Sequence, residues 1–462
     1  MKQISVLILI CICMLACKQQ NHQMSVEDSE HYDLTQMKDS GVLVALTLNS
    51  SISYFDYRGE PMGFQYELAK QFAQSLGLKL EIKTALNTQD LVRMLLAGEG
   101  DLIAYPLPVT KEFKDSVIFC GEDIITHQVL VQRNSTKKQH ALANVTELIG
   151  KDVYAKPGKH LDRLINLDKE LGGGIRIHGV KNDSITQEDL IMQVSNGVID
   201  YAISDHDLAR LNKTYYPNLD IRLAVSFDQR ASWAVRKTSP LLSEAANQWH
   251  QSNATSPAYK ASTKKYFENS KRLPHGPILS IKDGKISHFD HLFKKYSSEI
   301  GWDWRIIASL AYNESNFDTT AVSWVGAKGL MQLMPRTARA MGIPEGKEQN
   351  AEESVKAAIK YLGLLSRSFT KITDSNEKIK FILASYNAGL GHVFDAMALA
   401  EKYGKNKYVW DNHVADYILL KSNEEYFNDP VCKNGYFRGR ETFNFVKDIL
   451  GRAEMYKQKI KD

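Results

Sequence analysis

The sequence predicts an α/β domain followed by a mostly helical domain, and three observations support this prediction. Strand-like and helix-like segments alternate from residue 41 to residue 104, whereas the periodic segments from residue 289 onward have the spacing of helices. A chain of 462 residues is also too long for one ordinary hydrophobic core. The content of 43% hydrophobic and 24% charged residues is typical of globular domains.

A formal net charge of +4, without a block of like charge, gives no reason to expect a nucleic-acid partner.

Residues 1–16 are predicted to form a signal peptide. A short basic start is followed by an apolar run over residues 4–16, which is too short to span a bilayer. The run ends in Met14-Leu15-Ala16-Cys17, which resembles a bacterial lipoprotein signal except that Met14 stands where leucine is usual. The resemblance implies lipidation of Cys17 and, with Lys18 beside it, a lipid-anchored protein of the outer membrane that faces the periplasm. An ordinary secretory signal with a coincidental cysteine is the alternative.

The other cysteines predict neither a disulfide framework nor a metal site. Cys11 and Cys13 would leave with the signal peptide, and Cys120 and Cys432 fall in what we interpret as separate domains. No Cys/His cluster has the spacing of zinc ligands, so neither a metal nor a cofactor is expected. Residues 17–38 are polar and lack periodicity, which predicts a flexible tether.

Residues 39–272 are predicted to form the α/β domain. Its first elements read as strand, helix, strand, helix and strand over residues 41–46, 63–73, 78–82, 91–96 and 101–104. Gly77 is predicted to end the first helix. This alternation favours parallel strand pairing.

Two segments of this domain resemble the family-3 extracellular solute-binding proteins. Gly-Phe-Gln-Tyr-Glu-Leu-Ala at residues 63–69 matches their Gly-Phe-Asp-x-Asp-Leu-Ala segment, and residues 197–205 match their Gly-x-x-Asp-Ala…Asp segment. The resemblance implies a two-lobed periplasmic-binding-protein-like fold that binds an amino acid between its lobes. It implies contact of Asp205 with the ligand's amine and of Tyr54 and Phe55 with the rest of the ligand. Strand-end packing accounts for the two aromatic residues equally well.

The carboxylate clamp of that family is altered here. The family places an arginine soon after a threonine, but Phe113 occupies that place after Thr110. Lys111 or Lys114 would replace the arginine only as a point charge. We therefore expect a regulatory or positioning domain whose ligand is an amino acid or a muropeptide, and whose hinge closure could be coupled to the domain that follows.

Residues 273–288 are predicted to link the domains, and residues 289–462 to form the helical domain. Pro274-His275-Gly276-Pro277 punctuates the chain at this boundary, and residues 278–286 are compatible with a small strand or hairpin. Helical patterns cover residues 289–300, 337–341, 351–369, 379–386, 393–401, 414–420 and 443–457. Asp303 is predicted to cap a further helix that carries Glu314.

Glu314 ends an apolar stripe on that helix. Read as a helix, Ile307, Leu310, Ala311 and Glu314 recur at positions i, i+3, i+4 and i+7. Burial at the end of such a stripe would raise the pKa of Glu314, as a general acid requires. On spacing alone, a helix-end glutamate that reaches solvent is the commoner case.

Three ordered motifs change that judgement because they resemble the soluble lytic transglycosylases. They are Glu314-Ser315, then Gly-Leu-Met-Gln at residues 329–332, then Tyr-Asn-Ala-Gly at residues 386–389 with Ser385 at the place of the usual alanine. The resemblance covers roughly residues 287–450 and implies a lysozyme-like fold. It also implies cleavage of peptidoglycan glycan strands between N-acetylmuramic acid and N-acetylglucosamine, with formation of a 1,6-anhydro ring and Glu314 as acid and then base.

The same resemblance implies supporting roles for the other motif residues. Ser315 and Gln332 would hold Glu314 or the sugar by hydrogen bonds, and Gly329 would allow a close backbone approach. Met331 would offer an apolar wall to a sugar ring, although core packing is an equal alternative. Tyr386 and Asn387 would support the acid and the acetamido group of the substrate.

One departure and one further acid leave alternatives open. Phe445 stands where the family has a tyrosine that supports the catalytic glutamate, and Tyr436 is a candidate to compensate. A wall-binding or sensor lipoprotein with weak catalysis is therefore one alternative. A lysozyme-like hydrolase is another, in which Asp318 would be the second carboxylate, although a loop-capping aspartate is its simpler interpretation.

Overall fold

A computed structural model describes residues 32–135, 140–182, 185–269 and 285–460. The predicted signal peptide, the predicted lipidation site Cys17 and most of the predicted linker and hairpin before residue 285 lie outside the described residues. Within the described ranges, no helix is long and apolar enough to cross a membrane. No group of His, Cys, Asp and Glu in those ranges could hold a metal ion.

The first lobe of the α/β domain is built from both ends of that domain. Its elements are α1 (Leu34–Ser40), β1 (Val42–Leu48), β2 (Phe55–Tyr57), β3 (Glu60–Met62), α2 (Phe64–Ser75), β4 (Lys79–Ala85), α3 (Thr88–Leu96), β5 (Leu102–Pro108), α4 (Lys111–Lys114), β6 (Val117–Thr126), β12 (Gln229–Arg236), α8 (Pro240–Asn253) and α9 (Pro257–Phe267). The sheet order is β4-β1-β5-β12-β6. β1 pairs in parallel with β4 and β5, which confirms the parallel pairing predicted from the sequence.

The second lobe lies between β6 and β12 in the sequence. Its elements are β7 (Gln128–Arg133), a 3₁₀ turn (Val145–Leu148), β8 (Asp152–Ala155), α5 (Lys159–Glu170), β9 (Arg176–Gly179), α6 (Gln187–Ser195), β10 (Tyr201–Asp205), α7 (His206–Lys213) and β11 (Leu219–Asp220). They form a second sheet of order β11-β7-β10-β8-β9. The chain therefore crosses between the lobes twice, which confirms the two-lobed architecture and gives it a hinge.

The end of the predicted tether is ordered. Residues 34–38, which the sequence analysis assigned to the tether, belong to α1. The side chain of Asp33 caps this helix and also accepts hydrogen bonds from the backbone N–H groups of Leu241 (2.8 Å) and Leu242 (3.0 Å). Met37 is fully buried. The low apolar content of the segment concealed one buried side chain and a cap whose partners lie about 200 residues away.

The β2–β3 hairpin projects from the first lobe toward the helical domain. Its two-residue turn consists of Arg58 (φ 55°) and Gly59 (φ 80°). A type I′ turn requires positive φ at both central residues, which glycine adopts freely and arginine does not. The hairpin thus holds Arg58 in an uncommon backbone conformation.

The second domain is helical, as predicted. Its elements are α10 (Asp290–Ser297), a 3₁₀ turn (Ser298–Ile300), α11 (Trp304–Ser315), α12 (Pro335–Met341), α13 (Ala351–Ser366), a 3₁₀ turn (Arg367–Phe369), α14 (Ser375–Ala388), α15 (Leu390–Lys402), a kinked turn (Trp410–Val414), α16 (Ala415–Leu420), α17 (Glu424–Phe427) and α18 (Gly439–Lys459). One large hydrophobic cluster fills its interior. Asp303 caps α11 by accepting from the backbone N–H of Arg305, as predicted.

Candidate functional site

Glu314 lies in the last turn of α11 and is only 6% exposed. The helix ends there because Asn316 and Phe317 both adopt positive φ. Ile307, Leu310 and Ala311 are fully buried, so the predicted stripe faces the core and carries the carboxylate inward. Burial raises the pKa of Glu314 above its ordinary value, in the direction that the sequence predicted.

The first two motifs are joined by backbone-directed hydrogen bonds. The Ser315 hydroxyl donates to the carbonyl of Leu330 at 2.7 Å and to that of Ala311 at 3.2 Å. Gly329 has φ 75°, and a Cβ at this position would lie 2.1 Å from the carbonyl oxygen of Glu348. The predicted close approach at Gly329 is therefore present. Ser315 holds the backbone of the loop rather than the carboxylate of Glu314.

Gln332 and Tyr386 fix the same loop from two sides. The Gln332 amide donates to the carbonyls of Gly329 (2.8 Å) and Ala321 (3.0 Å). Its φ is 47°, and its Oε1 is buried without a hydrogen-bond partner among the described residues. The Tyr386 hydroxyl donates to the carbonyl of Met331 at 2.7 Å. Both residues thus shape the rim around Glu314 instead of bonding its carboxylate.

The Met331 side chain lies in the core. It is fully buried, and its backbone N–H donates to the Ser354 hydroxyl at 3.2 Å. In this arrangement it offers no wall to a sugar, and the core-packing alternative describes it correctly. The apolar run Leu330-Met331 is compatible with either role, so the sequence alone did not predict that the Met331 side chain points into the core.

Asn387 connects the third motif to α18. Its Oδ1 accepts from the Thr442 hydroxyl at 2.5 Å, so Thr442 of the altered Glu-Thr-x-x-Phe-Val element retains a place at the site. Phe445 is 7% exposed and packs in the hydrophobic cluster. The expected tyrosine hydroxyl is therefore replaced by apolar packing.

The carboxylate of Glu314 is instead paired with an arginine from the other domain. One Nη of Arg58 lies 2.9 Å from Oε1 and 3.3 Å from Oε2 of Glu314. The same guanidinium donates to the carbonyl of Gln332 (2.9 Å) and to the carbonyl of Asn387 (3.1 Å). Arg58 thus contacts one residue of each of the three motifs.

This ion pair is secluded from solvent. The side chains of Arg58 and Glu314 are 9% and 6% exposed. Burial opposes the charge of Arg58, but the carboxylate of Glu314 outweighs it and raises the pKa of Arg58. Arg58 in turn opposes the rise that burial causes in the pKa of Glu314. Arg58 therefore favours the anionic form of the acid, and burial favours its protonated form.

Further contacts fix the hairpin on the helical domain. The Nε2 of His392 lies 3.2 Å from the carbonyl oxygen of Asp56, and burial lowers the pKa of His392 to about 3, so its ring is neutral. The ring of Phe55 packs edge-on against that of Tyr436, with centroids 6.5 Å apart. These contacts hold the strand that precedes Arg58 on the helical domain.

The second lobe makes its own contacts with the helical domain. Glu188 on α6 accepts from the hydroxyls of Ser51 (2.6 Å) and Tyr436 (3.0 Å) and pairs with Arg438 (3.2 Å). Nearby, Arg440 donates to Asp189 at 2.7 Å. Glu188 therefore joins the first lobe, the second lobe and the helical domain at one point.

The cleft between the two lobes contains a cavity of about 290 Å³. Asp205 lines it, as predicted, 2.7 Å from Nζ of Lys159 and 3.3 Å from Nε2 of His160. Burial works to raise the pKa of Asp205, but the hydrogen bond from His160 and the charge of Lys159 outweigh it and lower this pKa to about 2. The carboxylate is thus ionised and suited to an amine.

The other predicted cleft residues lie elsewhere. Tyr54 packs on Tyr66 at 5.7 Å between ring centroids, and Phe55 belongs to the hairpin. Residues 50–53 and Tyr105 line the cavity instead. Phe113 is buried in the core of the first lobe, so it cannot hold a carboxylate. Packing therefore accounts for all three aromatic residues. Tyr54 and Phe55 miss the cleft because the chain turns toward the helical domain after residue 53, and Phe113 points into the core of the first lobe.

Two alternative assignments in the helical domain can also be placed. Asp318 accepts from the backbone N–H and the hydroxyl of Thr320, both at 2.7 Å, which is the loop-capping role. Tyr436, the candidate to compensate for Phe445, donates to Glu188 instead of Glu314. Sequence reasoning missed Arg58 because its only local signal is an Arg-Gly turn, and its partner lies 256 residues away.

Two family models match the chain. The model described as "Transglycosylase SLT domain" matches residues 291–409, and "Bacterial extracellular solute-binding proteins, family 3" matches residues 43–269. These matches correspond to the two domains of the structure and to the two resemblances found in the sequence.

Curated relatives align with this chain over most of its length and over most of their own. Proteins named "Membrane-bound lytic murein transglycosylase F" from Desulfosudis oleivorans and Photobacterium profundum are 31% and 30% identical to this chain. Each alignment covers 92% of this chain, and they cover 92% and 81% of the respective relatives. A protein of the same name from Vibrio vulnificus is 29% identical over 92% of this chain and 82% of its own length.

Solved structures match the solute-binding part. An ancestral cationic amino acid solute binding protein aligns with 51% of this chain and 99% of its own, at 20% identity and a TM-score of 0.44. The P235GK mutant of ArgBP from T. maritima aligns with 51% of this chain and 99% of its own, at 25% identity and a TM-score of 0.38.

Proposed function

Because the chain belongs to the membrane-bound lytic murein transglycosylase F family, we propose that it cleaves peptidoglycan glycan strands by a lytic transglycosylase reaction. The bond cut is the β-1,4 bond between N-acetylmuramic acid and N-acetylglucosamine. The observation that carries the proposal is Glu314, a buried carboxylate framed by all three family motifs. A single acid suffices for this reaction, whereas glycoside hydrolysis ordinarily needs two carboxylates.

In the reaction that we propose, Glu314 first donates its proton to the glycosidic oxygen. The bond between that oxygen and the anomeric carbon of the muramic residue breaks, and the N-acetylglucosamine end leaves as an alcohol. The Glu314 carboxylate then takes the proton from the muramic 6-hydroxyl while the oxygen of that hydroxyl bonds to the anomeric carbon. The product is a 1,6-anhydromuramic end, Glu314 is again protonated, and no water is consumed.

The environment of Glu314 supports an acid that works in both directions. Burial raises the pKa of Glu314 above its ordinary value, which is the direction that a general acid requires. Asp318 is held by Thr320 in its own loop, which argues against its use as a second carboxylate for water attack. The loop of residues 329–332 is fixed by Ser315 and Tyr386, which supports a preorganised site.

The proposal includes regulation by the solute-binding domain, in which the arrangement described here is the blocked form. A substrate oxygen cannot approach Glu314 while Arg58 bonds both carboxylate oxygens. The pair also favours the anion, whereas the first step requires the protonated acid. Turnover therefore requires withdrawal of the β2–β3 hairpin.

A ligand between the lobes could change this docking. The hairpin belongs to the first lobe, whereas Glu188 and Asp189 hold the second lobe to the helical domain. Closure around an amino acid or a muropeptide would move one set of contacts relative to the other. Any difference in ligand affinity between the blocked and released forms then shifts their populations.

Lipid anchoring completes the proposal. The sequence before Cys17 and the names of the relatives support attachment to a membrane through an acylated Cys17. Lys18 favours the outer membrane, with both domains in the periplasm. Attachment would keep the site close to an insoluble wall polymer.

Product analysis tests the proposed reaction. Full-length protein in detergent is incubated with isolated peptidoglycan, beside Glu314→Gln and Arg58→Ala variants, and released fragments are identified by mass spectrometry. We expect 1,6-anhydromuramic ends from the unmodified protein, more of them from Arg58→Ala, and none from Glu314→Gln. Reducing muramic ends would show water attack and a hydrolase. No release from either active form would indicate a wall-binding or sensor protein.

A further inference from the structure

The loop between Glu314 and the second motif carries a tryptophan at its tip. In this loop the backbone N–H of Gly326 donates to the carbonyl of Ser323 at 2.9 Å, and the backbone N–H of Ala327 donates to the Ser323 hydroxyl at 3.0 Å. These bonds close a tight turn whose second residue is Trp324. The turn therefore presents the Trp324 ring from a fixed backbone.

Trp324 packs on the neighbouring domain. Although Trp324 and Val325 belong to the helical domain, both pack against the hydrophobic cluster of the first lobe. The ring of Trp324 lies 6.3 Å from that of Tyr57 on the β2–β3 hairpin, and 5.8 Å and edge-on from that of Tyr266 on α9. Both ring partners would leave if the first lobe withdrew, so a large aromatic face would become exposed. Exposed apolar surface of this kind marks binding sites.

Tyr57 lies near the proposed acid as well as near Trp324. It directly precedes Arg58, whose guanidinium lies 5.5 Å from the centre of the Tyr57 ring. Burial raises the pKa of Tyr57, the charge of Arg58 opposes this rise, and the charges of Glu441 and Glu314 add to it. The Tyr57 ring is thus within electrostatic reach of Glu314, one residue from the arginine that blocks it.

The surroundings of the Tyr57 ring have the composition of a sugar subsite. Trp324, Asn387 and Glu441 are among the helical-domain residues that line one small cavity with Tyr57. An aromatic face beside a few polar side chains is a usual lining for a ligand site. The apolar C–H face of a pyranose packs on an aromatic ring, and its hydroxyl and acetamido groups bond to amides and carboxylates. The six-membered ring of Tyr57 is close in size to such a sugar.

We propose that Trp324 is a substrate-binding residue whose ring stacks on a sugar of the glycan strand next to the bond that is cut. In the blocked form Tyr57 occupies the place of that sugar, beside Asn387 and Glu441. The hairpin then excludes substrate in two ways, since Arg58 covers the acid and Tyr57 covers the adjoining subsite. This inference rests on the proposed function and adds to it a binding residue outside the three motifs.

The test separates stacking on a sugar from docking of the first lobe. All variants are full-length proteins in detergent that carry Arg58→Ala, so that the hairpin no longer blocks the site, and Trp324 is replaced by alanine or tyrosine. The matched control is Val325→Ala, because Val325 shares the turn and the contact with the first lobe but lines a different cavity. Release of 1,6-anhydromuramic ends is measured against the concentration of soluble glycan strands from which the peptides have been removed.

The expected effect is on substrate affinity. We expect Trp324→Ala to raise KM about tenfold and to leave kcat within about twofold, because a stacking contact stabilises bound substrate and transition state alike. Trp324→Tyr should restore most of the affinity, since tyrosine keeps an aromatic face. Val325→Ala should leave KM unchanged. An unchanged KM in Trp324→Ala, an equal rise in Val325→Ala, or a loss of kcat alone would overturn the subsite.

A binding measurement keeps this inference separate from the proposed reaction. The same glycan strands are titrated calorimetrically into protein that carries Glu314→Gln and Arg58→Ala, with and without Trp324→Ala. We expect Trp324→Ala to weaken binding about tenfold. If the strands bind through Trp324 but the Arg58→Ala protein does not cleave peptidoglycan, the proposed reaction is wrong and the subsite stands. Strands that do not bind, or that bind equally well without Trp324, would overturn the subsite even if cleavage occurs.

Discussion

Arg58 and Glu314 form a buried ion pair of 2.9 Å between two domains, although 256 positions separate them in the sequence. The arginine stands at the tip of a hairpin of the solute-binding domain, and the glutamate stands at the end of a helix of the lysozyme-like domain. The pair therefore links the position of one domain to the protonation and accessibility of the acid in the other.

Replacement of Arg58 by alanine is expected to raise lytic activity without any ligand. The guanidinium makes several charge-assisted hydrogen bonds to the site, and loss of one such bond typically costs about 1.5–3 kcal/mol. Arg58 regains part of this free energy by hydrogen bonding to water when the hairpin withdraws. We therefore expect the Arg58→Ala variant to release soluble fragments roughly tenfold faster. Arg93→Ala, which removes an exposed arginine of the same lobe, is the matched control. Unchanged activity in Arg58→Ala would contradict blocking by the hairpin.

Repression by the hairpin is expected to weaken in acid. In the blocked form Arg58 lowers the pKa of Glu314, against the larger raising effect of burial, so the contact with Arg58 by itself stabilises the anion there. A contact that lowers the pKa of a carboxyl group stabilises the form in which the contact exists, at pH values where the group is ionised. This stabilisation is lost as the pH falls through the lowered pKa and the carboxylate becomes protonated. The activity ratio of Arg58→Ala to unmodified protein should therefore fall as the pH falls through the pKa of Glu314. A ratio that is constant or rises toward acid would contradict the ion-pair account.

The sequence was informative where the signal was local. The stripe of Ile307, Leu310 and Ala311 predicted the helix, because helix periodicity fixes which side chains share a face, and the three ordered motifs then favoured a buried acid at its end. Asp303 as the cap and Gly329 as a close approach followed from similarly local chemistry. These features require only neighbouring residues to be known.

The sequence was uninformative where the partner is distant. Arg58 shows no periodicity, and its role exists only once two domains are packed together. For Met331 the sequence left a sugar wall and core packing as equal alternatives, and the side chain faces the core. Tyr436 was only a candidate to support Glu314, and it bonds Glu188 of the other domain. The family motifs thus predicted where the site lies. The contacts between the two domains determine which partners several residues of the site bind.

Gly329→Ala is expected to destabilise the helical domain and abolish lysis. The new Cβ would lie 2.1 Å from the carbonyl oxygen of Glu348, so the backbone of the loop must move. Gly346→Ala is the matched control, since φ there is also positive (78°) but no atom lies within 4 Å of its Cβ. We expect a loss of about 1 kcal/mol in the control, from backbone strain, and roughly 3 kcal/mol or more at Gly329. Urea unfolding measures both, and equal losses would mean that the clash is relieved without cost.

Asp205→Asn is expected to remove the response to ligand and leave basal activity unchanged. The substitution keeps the shape of the side chain but removes the charge that would bind an amine. Binding of soluble muropeptides should weaken at least about tenfold, and any change in lytic rate that they cause should disappear. Asp200→Asn in the same lobe, where the aspartate pairs with Arg133, is the control. A ligand response that survives in Asp205→Asn would place the regulatory site elsewhere.

Tyr436→Phe distinguishes two roles for one hydroxyl. In the structure this hydroxyl donates to Glu188 at 3.0 Å and so holds the second lobe on the helical domain. Its loss should cost the blocked form about 1 kcal/mol and raise basal lysis roughly fivefold. If Tyr436 instead supported Glu314 during catalysis, in place of the tyrosine that Phe445 replaces, the same change would lower the rate. Adding Tyr436→Phe to Arg58→Ala makes the distinction sharper. A residue that acts only through docking should have no further effect once the hairpin no longer blocks the site, whereas a supporting residue should still reduce the activity of the released enzyme.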